Sequence, residues 1–537
     1  MRQILLAAFV FLGPLPAAAQ KVQSKPTIER VIVIAQVADL RDGDNVAGTA
    51  PRGEDFQIEK TEEDRYQVQW KGRSVWISHA DVLPFDRAME YFTEAIQRNP
   101  TAADYVARAR LRAQDGNLDG ALDDCNHAIQ FDSTHGWLYD RRGCVWWAKG
   151  ELGKAIADFD TAIRLDPTYA IAYIHRADMR HLNGDLKNAN SDLNTAIRLD
   201  PKNAPILVNR GSIWAAKGDY HKALADYDGA IRLNPEFAAA YVGRGIVWFA
   251  KNEFDKAHAD FNEAVRLDPK SSFAYYNRAS AWKAEGELDN ALADYREAIR
   301  LDPKSSEAFF NRGCAWCDKG KYENALADFD EAIRLDPKSS VAYYSRASTW
   351  LAKGEFDKAL ADYDEAIRLD PNECSNAYYG RGRVWYVKGD FDEALSDYDA
   401  AIRRNPKNSE IYVSRGCAWA VKEKYENALA DFDEAIRLDP NSGSAYRNRA
   451  WLRATCSDTK HRDAEKAIDD ATKACELANW KDPDFLDTLA AAYAKAGQFD
   501  KAVEWQEKAI DLAPKKHRRS LLTSYKFGNR YPDVRKK

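Results

Sequence analysis

Past Leu12 the chain has no apolar run that approaches the length of a membrane span, and it carries none of the compact motifs that mark a catalytic or cofactor site. There is no His-Glu-x-x-His, no paired Cys-x-x-Cys set, no glycine-rich phosphate loop after a strand and no serine elbow. Histidine is scarce, nine in 537 residues, and His175 and His181, six apart, fall on different sides of a helix. An excess of one charge is missing too. The 78 basic and 84 acidic side chains leave a net charge of −6, which gives no electrostatic reason to bind nucleic acid. These absences lead to the expectation of a non-enzyme without catalytic residues, cofactor or metal, and without a nucleic-acid partner.

Eight cysteines are present, yet their spacing argues against disulfides. Cys144, Cys314 and Cys417 occupy one equivalent position in segments far apart along a repeat, so they cannot pair. Cys456 and Cys475 fall on opposite ends of an antiparallel pair of helices. Cys314 and Cys317 match a redox spacing but sit mid-helix, where nothing lowers a thiol pKa. Small buried hydrophobes is the reading for all eight.

What is abundant is repetition. Prolines 167, 201, 235, 269, 303, 337 and 371 are 34 residues apart, and Pro406 and Pro440 continue the ladder after one extra residue. A period of this length means units that bury their apolar faces only against neighbours. In the unit that starts at Ser306, Phe309, Gly313 and Trp316 form one stripe of a first helix, A. Gly320 can end it in the left-handed conformation. Ala325, Phe329 and Ala332 mark a second helix, B, which Leu335-Asp336-Pro337 stops, since Pro337 has no N–H and displaces Asp336 from helical geometry.

This pattern resembles the tetratricopeptide repeat (TPR) family: an aromatic at position four, Gly or Ala at eight, an aromatic at eleven, Ala at twenty, an aromatic at twenty-four, Ala at twenty-seven and Pro at thirty-two. Twelve units start near Ala102, Gly136, Ala170, Ala204, Ala238, Ser272, Ser306, Ser340, Ser375, Ser409, Gly443 and Pro483. The resemblance implies a mainly α fold, an α-solenoid or right-handed superhelix of helix pairs over 102–516, entered through a lead helix at 85–99. Departures fall at Ser133, at Arg180 and Arg453 in place of position-eleven aromatics, and in an insertion at Cys456 to Asp463, where local irregularity is expected.

The N-terminus differs. Arg2, the apolar run Ile4 to Leu12 and Ala17-Ala18-Ala19 read as a signal peptide over 1–19, so the expected location is exported, periplasmic or extracellular, with no membrane span in the mature chain. Over 28–84 the period becomes two. Tyr66, Val68 and Trp70 alternate with Gln67 and Gln69, and Lys71-Gly72 turns the chain into Ser74 to Ser78 as a hairpin. The segment resembles the bacterial SH3-like family in Ala38-Asp39-Leu40-Arg41-Asp42-Gly43 and Val75-Trp76-Ile77, which implies a small β-barrel that caps the array or takes a cell-wall peptide. The basic segment 517–537 reads as a capping helix and tail, with Leu521, Leu522 and Tyr525 as its apolar stripe.

Comparing the units with one another locates scaffold and site. Arg at position seven and Asp at position twenty-three occur together in eleven units, and the twelfth loses both to Leu489 and Trp505. That covariation predicts an ion pair within each unit, between A and B, which fixes register more than it stabilises. Tryptophan fills position eleven in eight units and reads as core. Positions two, five, nine and twelve form the opposite stripe of helix A, which in TPR proteins lines a concave groove. Here it carries Trp147, Phe249, Phe273, Tyr276, Phe310, Tyr344, Tyr379 and Tyr386, an aromatic and nearly neutral floor. The lysine and asparagine set by which some relatives clamp a terminal carboxylate is absent. The expected function is therefore a scaffold that holds a protein or peptide segment in this groove; the alternative is an envelope-structural spacer anchored through the SH3-like domain.

Overall fold

The computed structural model describes residues 30–513 apart from 44, 71, 72 and 373, together with 521 and 522. The expected signal peptide, the Lys71-Gly72 turn and most of the basic C-terminal segment lie outside the described residues. The chain forms two compact units, Met1–Leu301 and Asp302–Lys537.

The first unit opens with a small antiparallel β-domain: β1 (Arg30–Val33), β2 (Val37–Asp42), β3 (Asn45–Pro51), β4 (Asp55–Thr61), β5 (Arg65–Trp70), β6 (Arg73–Ser78) and β7 (Val82–Pro84), in the order β3-β2-β6-β5-β4-β1-β7. The period-two reading of β5 holds. Tyr66 and Val68 are buried and Trp70 packs beside them, while the hairpin with β6 runs in register from Arg65 opposite Ser78 to Trp70 opposite Arg73. Helix α1 (Ala88–Arg98) follows, then six helix pairs, beginning with α2 (Ala102–Gln114), α3 (Leu118–Phe131), α4 (Gly136–Ala148), α5 (Leu152–Leu165) and α6 (Ala170–Leu182).

The β-domain is built into the first repeat. Ile32 shares a core with Ala88, Phe92, Ala107 and Leu111. At the β3–β4 turn, Arg52 donates to Asp104 (Nε–Oδ1 2.7 Å) and to the Tyr91 hydroxyl (3.2 Å). Asp55 pairs with both Arg30 and Arg110, the latter at position nine of the first repeat. Gly53, at φ +85°, lies so close to α2 that an added Cβ would meet Ala107 Cβ at 2.5 Å. A terminal repeat exposes an apolar face that must be covered, and the β-domain and α1 cover this one.

The second unit holds six further pairs, from Ser306–Asp318 and Tyr322–Leu335 to Pro483–Lys495 and Phe499–Leu512. In both units the A helices start at the residues where the repeat pattern places them. Ser or Thr before helix A caps it where present, as Ser305 accepts from the Ala308 N–H and Thr101 from that of Asp104. The turn after helix A is left-handed, with Gly320 at φ +70°; Asn252 and Glu423 hold the same conformation without the freedom of glycine. Arg180 and Arg453 leave their helices regular, contrary to expectation, and the insertion after Cys456 makes one 3-10 turn at Thr459–His461. Leu521 is buried against Ala490, Ala494 and Ala502 of the last repeat.

Successive A helices within a unit touch each other and successive B helices less so, which puts the A helices on the inner side. Position-twenty alanines such as Ala223, Ala257 and Ala325 are completely buried, and position-eight glycines leave space for the position-twenty-four ring: a Cβ on Gly313 would stand 2.8 Å from Phe329. No helix among the described residues is long and apolar enough to cross a membrane.

Candidate functional site

The scaffold that positions the inner face is the arginine–aspartate ladder. In every one of the eleven repeats the guanidinium donates through Nε and Nη2 to both oxygens of its own repeat's aspartate, from Arg108–Asp124 to Arg449–Asp470, at 2.5–3.0 Å. This is the within-repeat pairing that the covariation predicts, in its strongest bidentate form. The sequence reading missed the third nitrogen. In nine repeats Nη1 reaches back to an Asp or Asn of the preceding helix B, as Arg244 to Asp228 (2.6 Å) and Arg278 to Asn262 (2.8 Å). The position-eleven arginines also join: Arg112, Arg180 and Arg453 each lie 2.6–3.0 Å from the same carboxylate as the position-seven arginine. In the twelfth repeat Leu489 and Trp505 pack in one apolar cluster instead. The pairs are finely balanced: hydrogen bonding to Asp260 raises the Arg244 pKa, whereas burial pushes the Asp260 carboxyl up against the pull of Arg244.

The position-eleven tryptophans are half-buried core. Trp214, Trp248, Trp350, Trp385 and Trp419 pack against the buried clusters, and lysines cover the outer faces of several, such as Lys222 at 4.4 Å from Trp214 and Lys358 at 4.4 Å from Trp350.

The eight expected groove residues are all half-buried, and they divide between the units. In the first unit are Trp147, Phe249, Phe273 and Tyr276; in the second, Phe310, Tyr344, Tyr379 and Tyr386. Each position-five ring leans on the position-twenty-four ring of its own repeat: Tyr276 on Tyr295, Phe310 on Phe329, Tyr344 on Tyr363 and Tyr379 on Tyr398, with centroids 5.8–6.0 Å apart. The position-twelve rings Phe249 and Tyr386 pack on Phe254 and Phe391. Some of these rings also meet helix A of the next repeat: Tyr344 shares a cluster with Ala377 and Val384, Tyr386 with Ile411 and Ala418, and the Tyr379 hydroxyl lies 3.2 Å from Ser414 Oγ. In the second unit Tyr344, Tyr363 and Tyr379 line a cavity of about 190 Å³ with Ser348, Leu351 and Arg383. Arg383 is exposed, lies over the Tyr379 ring at 5.8 Å, and has no carboxylate partner among the described residues. A larger, polar cavity of about 460 Å³ lies elsewhere, between the turn at Lys424 and the insertion at Asp458 and His461.

The inner face of the first unit also holds a polar cluster that no sequence motif announced. Asp140, at position five of α4, is fully buried and 2.7 Å from His175 Nδ1 on α6; Cys144 Sγ, one turn along α4, is 3.6 Å from the same nitrogen. The Tyr169 hydroxyl donates to the other Asp140 oxygen at 3.3 Å. Burial works against the Asp140 charge, but His175, Arg141 and Tyr169 more than offset it and hold the carboxyl below its usual range. Burial likewise disfavours a charged His175, and Cys144 and Asp140 overcome this and raise it well above 6.5. Asp178, further along α6, is pushed by burial up to about 7. His175 is therefore not one of a scattered set, as its sequence position suggests. Only spacing between repeats, position five and nine of one against six of the next, could have shown it.

His181, at the end of α6, is buried, and burial lowers it to about 4. It is neutral in the fold, so the stability it permits is present above about 6.5, its unfolded value, and is lost as pH falls through about 4. Replacing His181 by Leu should flatten that part of the acid limb by about 2–3 kcal/mol, read as unfolding free energy against pH. An acid limb that overlays that of the unaltered protein refutes this.

The tetratricopeptide repeat profile matches residues 141–204, 209–272, 250–306, 276–340, 310–373, 344–409 and 379–443, and a second tetratricopeptide repeat profile matches 483–516. Among solved structures, the chain is similar to yeast Tom70, at 19% identity over 80% of this chain and 95% of that one, with a TM-score of 0.39. It is similar to the Cut9–Hcn1 hetero-tetramer of the APC/C, at 13% identity over 81% and 98%, TM-score 0.43, and to PilF of Pseudomonas aeruginosa, at 21% identity over 40% and 96%, TM-score 0.36. No curated protein matches the chain.

Proposed function

Because the chain belongs to the tetratricopeptide repeat family, whose members are typically non-catalytic scaffolds for protein–protein interaction, we propose that its inner aromatic face binds an extended protein or peptide segment and that it does so outside the cytoplasm, after export. The observation that carries the reading is the set of half-buried position-five rings on helix A, each backed by a helix B ring of its own repeat. Rings held in this way are rigid apolar anchors that lose little freedom on binding. Arg383, free of any carboxylate among the described residues, offers a charge-assisted bond to an acidic side chain of the bound segment. Export rests on the N-terminal pattern of Arg2, Ile4 to Leu12 and Ala17-Ala18-Ala19.

The test stays within the second unit. Peptides selected from a displayed library on the full chain should lose affinity at least about tenfold on Tyr344→Ala with Tyr379→Ala, since an anchoring aromatic contributes about 2 kcal/mol or more. Thermal unfolding should move little. Undiminished binding by the double variant refutes the groove and favours a structural spacer; a large fall in melting temperature shows the rings to be core.

A further inference from the structure

Position nine of helix A is cysteine in three repeats, and the three make a natural comparison. Cys314 has Phe310 one turn before it and Ser345 at the facing position of the next repeat; Cys417 has Val413 and Asn448. Cys144 alone has a carboxylate one turn before it, Asp140, and an imidazole facing it, His175. The i, i+4 spacing puts Asp140 and Cys144 on one face of α4, and repeat stacking brings α6 across to them. The ligand atoms of the three side chains all lie within 4.8 Å of one another.

We propose that Asp140, Cys144 and His175 form a binding site for a zinc ion. One oxygen, one sulfur and one nitrogen donor are the mixed set that Zn²⁺ accepts, at distances of about 2.0–2.3 Å. Tetrahedral bonds of that length hold neighbouring donors roughly 3.3–3.6 Å apart. The Cys144 Sγ to His175 Nδ1 separation of 3.6 Å already fits, and the 2.7 Å hydrogen bond between Asp140 and His175 opens as the metal replaces the shared proton. The thiolate and carboxylate together neutralise the ion. Three protein ligands leave a fourth position for water. The Tyr169 hydroxyl on the second Asp140 oxygen supplies the outer contact that orients a ligating carboxylate. Arg141, exposed beside Asp140 and Cys144, is the nearby cation against which the metal competes.

The experiment uses the full chain and the metal alone. After equilibration with Zn²⁺ and dialysis, one equivalent per chain should remain, and Co²⁺ in its place should give the near-ultraviolet charge-transfer band of a cobalt–thiolate bond. Cys144→Ser and His175→Asn should each weaken binding at least about 100-fold, while Cys314→Ser and Cys417→Ser leave it unchanged. Should a variant fail to fold by circular dichroism, alkylation of the unaltered protein decides: zinc should shield Cys144 and not Cys314 or Cys417. No retained metal, an equivalent retained by the Cys144→Ser, His175→Asn double variant, or equal alkylation of Cys144 with and without zinc overturns the site.

Discussion

Removing the Asp260 carboxylate alone should destabilise the first unit by about 3 kcal/mol or more, while replacing Arg244 and Asp260 together by Met and Leu should cost no more than about 1 kcal/mol. Asp260→Ala leaves Nε and Nη2 of a guanidinium whose side chain is only 24% exposed without acceptors, and its one remaining carboxylate, Asp228 on Nη1, is 44% exposed. Two half-buried donors left without acceptors, on a charge whose remaining partner lies in solvent, cost more than the pair contributes. The double variant removes both desolvation penalties and restores apolar volume. The twelfth repeat already has this arrangement, with Leu489 and Trp505 in one cluster and a regular helix on either side. Urea unfolding reads both variants. A single variant with an unchanged midpoint, or a double as unstable as the single, would show that the ladder does not act through paired desolvation.

Gly53→Leu should separate the β-domain from the first repeat. Its φ of +85° disfavours any side chain, and a Cβ there meets Ala107 Cβ at 2.5 Å and Ala107 Cα at 2.9 Å. Neither neighbour has a flexible end that can swing away. Strain of 1–2 kcal/mol or so from the left-handed backbone adds to an overpacking cost of about 1–3 kcal/mol. The contacts most exposed to this are local: Arg52 with Asp104 and Tyr91, Asp55 with Arg110, and Ile32 with Phe92 and Leu111. Amide exchange in 88–111 should therefore quicken by an order of magnitude or more while the helices of repeats three to six keep their protection. Gly43→Leu separates the two causes, since Gly43 has φ +61° with no atom within 4 Å of the built Cβ. If Gly43→Leu loosens 88–111 as much as Gly53→Leu does, the clash with Ala107 is not what matters.

The repeat fold was legible because its cues are local and recur. Proline at position thirty-two, glycine at fifteen and the aromatic at four and twenty-four each act within a helix or a turn, and the A helices begin where those cues place them. The ladder was legible because repetition supplies its own comparison: Leu489 and Trp505 depart together. What stayed hidden lies between repeats. The Nη1 bond of Arg244 to Asp228 joins residues sixteen apart whose types vary between Asp and Asn, so covariation is blurred. The second bonds of Arg180 and Arg453 to the ladder carboxylates turn an apparent defect into a substitute contact. The Asp140–Cys144–His175 cluster spans 35 residues and occurs once, so no period could reveal it. The docking of Arg52 and Asp55 on the first repeat likewise needs three-dimensional proximity that alternation in a strand does not encode.

Six ladder arginines hold a carboxylate on each side, and the two kinds of ion pair differ in their access to ions. The carboxylates held by Nε and Nη2 are 10% exposed or less, whereas those reached by Nη1, such as Asp160, Asp330 and Asp364, are 51–61% exposed. Screening acts on the second kind and spares the first. In mechanical terms, the helix pairs of each unit are stiff plates packed on one another, and six of the joints carry an exposed ionic link that salt can weaken. Raising the salt concentration should therefore soften the joints between neighbouring helix pairs that carry such a link and leave the geometry within each pair unchanged.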